Sequence, residues 1–148
     1  MRIALVSDEP YAVHAVVEAE LQRRGHSVRR FGTFVDGSER PWAPAAEEAA
    51  LAIILGECDE GIFFCWTGTG ISIAANKVFG IRAALCGDAP TAAAARVWNH
   101  ANVLCLSNRT LAPDVAREVL AAWFDTPPSD KGAEGVRLCD EVDRRHRA

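Results

Sequence analysis

Five short apolar runs, each parted from the next by a stretch of helical period, leave this chain few folds to choose from. Residues 2–7, 26–31, 61–65, 81–86 and 102–106 are rich in branched side chains and short enough to be buried strands. Between them, helices are expected over 10–24, 44–55, 70–77, 90–98 and 113–124, with Pro10 and Pro113 at first turns and Gly25 as a stop. Residues 32–42 read as loop. Parallel strands need a crossover, and a helix supplies it, so the expected fold is α/β. It is a Rossmann-like three-layer sandwich with a five-stranded parallel sheet. A Pro-Pro break at 127–128 precedes a last helix over about 134–145. Residues 1–148 are expected to form one domain, with the 126–148 tail packing on a neighbouring subunit.

Ligands of such open sheets bind beyond the carboxyl ends of the strands. That rule gathers 7–9, 65–70, 87–88 and 107–109 around one crevice. A net charge of −4 gives no general attraction to nucleic acid or anionic membrane. No apolar run approaches the roughly 20 residues a membrane span needs. Five cysteines without Cys-x-x-Cys spacing argue against a disulfide framework and a zinc site. With no signal peptide visible, a reducing, cytoplasmic setting is expected, with no metal and no organic cofactor.

The most informative stretch is Phe63-Phe64-Cys65-Trp66-Thr67-Gly68-Thr69-Gly70-Ile71. A buried strand ends in a thiol, and a Gly-containing turn feeds a helix. Backbone N–H groups there can hold an anion or a developing oxyanion, in a setting that favours a thiolate. Such a pairing suits covalent catalysis or proton abstraction beside a carbonyl. A buried structural cysteine before an ordinary turn is the equal alternative on pattern alone.

The segment 65–86, CWTGTGISIAANKVFGIRAALC, resembles the signature of ribose-5-phosphate isomerase B and the galactose-6-phosphate isomerase subunits. The likeness extends to RIALVSD at 2–8, FGT at 31–33, GECDEGI at 56–62 and NVLCLSNR at 102–109. The resemblance implies an aldose–ketose isomerase acting through a cis-enediolate, without cofactor. Cys65 would be the base, Thr67 its helper, and the backbone of Gly68 and Gly70 the oxyanion site. Asp8 and Asn99 would hold sugar hydroxyls, and Arg109 and Arg137 a phosphate. The family forms homodimers or dimers of dimers with pockets built from both subunits, so the expected partners are a small sugar or sugar phosphate and a second copy.

The departures from that family are concentrated at the pocket. Glu9 stands where the family has histidine, Trp42 where it has tyrosine, and Trp66 where it has the glycine after the cysteine. Trp98 takes the place of the histidine credited with opening the sugar ring, and Glu141 that of a tail arginine. Trp42, Trp66 and Trp98 are therefore expected to line a narrower, drier pocket suited to stacking on a sugar, whereas Trp123 is expected in the core. Glu9 and Glu141 would repel a phosphate dianion, or bind a hydroxyl or amine instead. Without a histidine at 98 the substrate must already be open-chain, as tetrose phosphates are, or another group must act. His100 is the nearest substitute, although a surface or interface histidine is the simpler reading. Two other readings stand beside this one. A non-catalytic sugar- or nucleotide-binding member is the first. The second, a dinucleotide-binding protein, is weak because Ile73 breaks the Gly-x-Gly-x-x-Gly pattern.

Overall fold

The parallel sheet that the alternation predicts is present. The computed structural model describes residues 1–147. Its strands β1 (Arg2–Ser7), β2 (Ser27–Gly32), β3 (Glu60–Cys65), β4 (Ala83–Leu85) and β5 (Val103–Ser107) form one sheet, ordered β2-β1-β3-β5-β4. All pairings are parallel. The helices are α1 (Val13–Arg23), α2 (Thr33–Asp36), α3 (Trp42–Ile54), α4 (Thr69–Ala75), α5 (Ala89–Asn99), α6 (Pro113–Asp125) and α7 (Ala133–His146).

Alternation along the strands decides which side chains meet which layer. Ile3, Leu5, Ile62, Phe64, Leu104 and Leu106 pack against α1, α5 and α6. Their neighbours Ala4, Val6, Phe63, Cys65, Val103 and Cys105 face α3 and α4. In α6 the buried positions are Ala116, Val119, Leu120 and Trp123, the spacing of one helical face. Asp88 caps α5 by accepting the Thr91 N–H at 2.8 Å. Trp123 is fully buried, as expected.

Three segments differ from the sequence expectation, the first being α1, which begins at Val13 and leaves Pro10 outside its first turn. Residues 32–42 are not all loop: α2 lies within them, closed by Gly37 at φ 80°, and α3 already begins at Trp42. β4 is shorter than 81–86, because side chains replace ladder partners at its start. The Arg82 N–H donates to Asn102 Oδ1 at 2.8 Å, and the Ala83 N–H to Asn76 Oδ1 at 2.8 Å. No helix of the described residues is long and apolar enough to cross a membrane.

The amino edge of the sheet is stitched by one buried ion pair. Arg96 reaches Glu60 at 2.8 Å, donates to the Ala101 carbonyl at 2.7 Å, and stacks on Trp123 at 4.7 Å. The other Glu60 oxygen accepts the Trp123 indole N–H at 2.8 Å. Arg96→Met strands the Glu60 carboxylate in a nearly dry site. We expect it to cost about 3–5 kcal/mol, read as a lower urea midpoint. A loss under about 1 kcal/mol would mean water reaches Glu60 freely.

Candidate active site

The order of the strands marks the place. From β1 the chain first adds β2 on one side and then β3 on the other, so the connections diverge between β1 and β3. A crevice at that switch point, on the carboxyl side, is where open α/β sheets bind ligands. Asp8 follows β1 and Cys65 ends β3.

Beside Cys65 the backbone is pinned from β5. The Asn108 N–H donates to the Cys65 carbonyl at 2.9 Å, and the Arg109 N–H to the Trp66 carbonyl at 3.1 Å. The Ser107 hydroxyl also donates to that Trp66 carbonyl, at 2.9 Å. The turn then passes through Gly68 at φ 77°, where a Cβ would lie 2.5 Å from Leu85 Cδ1 and 3.0 Å from the Leu106 backbone. Glycine is required there on both counts. The Thr67 and Thr69 hydroxyls share a hydrogen bond of 2.6 Å. At Gly70 a Cβ would stand 3.3 Å from the Trp42 indole, so Trp42 lies against the turn.

Asp8 is 8% exposed, and its Oδ1 is buried without a hydrogen-bond partner. Burial, and behind it the Glu9 charge, holds its carboxyl above its ordinary value. Such an orphaned acceptor is costly unless a ligand hydroxyl completes it. The Glu9 carboxylate is occupied locally: Tyr11 donates its hydroxyl to it at 3.3 Å.

Sequence reasoning missed the polar network beneath this rim. His14 and Asn108 are both buried, and His14 Nε2 lies 2.7 Å from Asn108 Oδ1. Asn108 donates to Ser7 Oγ at 3.1 Å, and Ser7 donates to the Glu9 carbonyl at 2.8 Å. Burial holds the His14 imidazole below its ordinary value, between the Phe34 and Phe64 rings. A histidine on an apolar helix face gave no signal that its partner was 94 residues away.

The remaining expected residues lie elsewhere in the chain. α5 carries the chain back from the carboxyl to the amino edge. Trp98, Asn99 and His100 therefore sit about one strand length, roughly 17 Å, from the Cys65 end. Trp98 and Asn99 line a cavity of about 490 Å³ with Asn76, Arg82, Val136 and Asp140, none of them from the Cys65 turn. His100 is a helix cap at φ 45°, its Nε2 2.7 Å from the Ser129 carbonyl. The ring is thus engaged within its own chain. Arg137 is held by Glu134 at 2.7 Å and by Glu141 on its other side. Those carboxylates raise its affinity for its proton and compete with any ligand anion. Asp88 is taken up by the α5 cap. Among the described residues no group of three or more His, Cys, Asp or Glu side chains could hold a metal ion.

Residues 3–140 match the Ribose/Galactose Isomerase family. A D-erythrulose-4-phosphate isomerase of Pectobacterium atrosepticum is 40% identical over 105 residues, 71% of this chain and 69% of that protein. Ribose-5-phosphate isomerase B of Escherichia coli is 43% identical over 112 residues, 75% of this chain and 73% of that one. The solved structure of Clostridium thermocellum ribose-5-phosphate isomerase B superposes with a TM-score of 0.92 at 35% identity, covering 99% of this chain and 100% of that one.

Proposed function

The chain belongs to the ribose/galactose isomerase family, and we propose that it interconverts an aldose and a ketose by moving one proton between adjacent carbons of an open-chain sugar phosphate. The observation that carries this reading is the β1/β3 register, which pairs Ser7 with Phe64 and so sets Asp8, with its unpartnered Oδ1, next to Cys65 at the switch point. Cys65 supplies a base beside a backbone anion site, and Asp8 an acceptor waiting for a hydroxyl.

In this reading Cys65 takes the proton from the carbon next to the carbonyl. The C–H bond breaks, an S–H bond forms, and the electron pair moves onto the carbonyl oxygen as a cis-enediolate. The N–H groups at the start of α4 have no intrahelical acceptors and offer themselves to that oxygen. Thr67 orients Cys65. The thiol returns its proton to the former carbonyl carbon, while the hydroxyl proton passes from the adjacent oxygen to the former carbonyl oxygen, leaving the new carbonyl next door. Asp8 holds a hydroxyl, and Trp42 closes the side of the turn. Asn99 and Trp98 of a second copy complete the pocket.

An open-chain substrate fits the acid/base groups available. No histidine occupies position 98, and the His100 ring is already engaged by the Ser129 carbonyl. A tetrose phosphate cannot close a furanose through its phosphorylated oxygen, so it needs no ring opener. The Pectobacterium relative, named for a four-carbon ketose phosphate, supports the same size class.

The test is deuterium exchange in heavy water, followed by NMR, with erythrose 4-phosphate and ribose 5-phosphate in parallel. Exchange is expected with the tetrose phosphate and at least about tenfold less with the pentose phosphate, since ring opening is left uncatalysed. Equal exchange with both would sink the open-chain reading. No exchange with either would sink the isomerase assignment for these sugars.

A further inference from the structure

Trp66 was expected to offer its indole to a sugar, yet in the structure that ring carries Arg109. The Arg109 guanidinium carbon lies 4.6 Å from the ring centroid, well within the range of a cation–π contact. The backbone strengthens the pairing, because the Trp66 carbonyl accepts both the Arg109 N–H and the Ser107 hydroxyl. Stacking uses the face of a guanidinium and leaves its edge free. The edge is the part that meets an oxyanion with two parallel N–H donors.

The rest of the chain makes that free edge conspicuous. Among the described residues Arg109 forms no ion pair and its side chain makes no hydrogen bond, whereas Arg137 is closed off by Glu134 and Glu141. Of the two arginines the sequence put forward for an anion, one is neutralised within its own helix. The other stands at the carboxyl edge, two residues past β5, beside the Cys65 turn.

We propose that Trp66 is a positioning residue: it holds the Arg109 guanidinium as a preset, single-arginine subsite for the tetrahedral oxyanion at the far end of the substrate, a phosphate monoester or a sulfonate. This rests on the isomerase reading for its place beside Cys65, but the anion subsite can be measured without turnover. A guanidinium held by its face loses little rotamer freedom when the anion arrives, which offsets the missing second arginine. The same indole is 52% exposed, so its stack with Arg109 lies open to solvent.

Calorimetric titration with inorganic phosphate, beside steady-state kinetics with erythrose 4-phosphate, tests the proposal. Trp66→Leu is expected to weaken phosphate binding about fivefold to tenfold, and to raise KM by more than it lowers kcat. Trp66→Phe keeps a ring and should recover most of the loss. Arg109→Lys keeps the charge but not the planar fork. It should weaken phosphate to a similar degree, and combining it with Trp66→Leu should add little. This variant leaves Trp66 in place and covers the case in which Trp66→Leu folds poorly. Phosphate binding unchanged in Trp66→Leu overturns the proposal, as do fully additive effects. A wild-type chain that shows Cys65-dependent exchange but no phosphate binding also overturns it, and leaves the isomerase reading standing. Phosphate binding with the expected mutant pattern, but no exchange, upholds the subsite and sinks the isomerase reading.

Discussion

Cys65→Ala is expected to lower deuterium exchange at the carbon beside the carbonyl by about 10²- to 10⁴-fold, the usual contribution of a positioned base. The magnitude separates a chemical role from a packing one. Cys65 is buried on the α3/α4 side of the sheet with Ile71, Phe63 and Cys105. Truncating one sulfur there should cost about 1 kcal/mol of stability, too little to unfold the chain. A variant that melts near the wild type yet exchanges no deuterium has lost a base. Cys65→Ser sharpens the test, since it keeps the shape but offers a hydroxyl that is a far weaker base. It should stay within about tenfold of the alanine variant. Full activity in either variant would remove Cys65 from the reaction. The other interior thiols are poor substitutes, because burial pushes Cys86 up to about 11 and Cys105 higher still. Cys139, on the exposed C-terminal helix, lies outside the Cys65 turn.

The fold was legible because its signal is local. Arg2–Ser7 is a strand of branched residues, and it emerges as β1 with the same bounds. The misread parts depend on distant partners. β4 begins late because Asn102, twenty residues on, and Asn76 take its first N–H groups. Within the site, the Cys65 turn was readable because strand, thiol and glycines are consecutive. The Trp66–Arg109 stack spans two strands, and its members were read separately, one as a sugar platform and the other as an anion ligand. Aromatic faces accept a sugar and a guanidinium alike, so residue type could not decide between them. Trp98 shows the same limit in another form. Resemblance assigned it to the pocket, while α5 takes it to the opposite edge of its own sheet.

That separation leads to the second large effect. If Asn99 serves the same pocket as Cys65, it must come from another copy, because one chain holds them at opposite edges of the sheet. The surface favours such a copy. α7 buries none of its residues and leaves Leu138 and Val142 outward, while Ile73, Phe79 and Leu85 are exposed on α4, the segment after it and the β4 edge. Apolar exposure of this extent calls for a partner surface. Cys65→Ala and Asn99→Ala should each be impaired alone, the second by about tenfold to a hundredfold through a lost polar contact. Refolded together in equal amounts, half of the dimers would pair one chain of each kind. In those dimers one pocket carries both defects and the other carries neither. The mixture should therefore recover about a quarter of the wild-type sites, well above the mean of its parents. A pocket built within one chain predicts the reverse, since every site would keep one defect and mixing would give only the average. Activity at that average, in a mixture shown by native mass spectrometry to contain mixed dimers, would return Asn99 to a structural role and confine the reaction to the Cys65 edge.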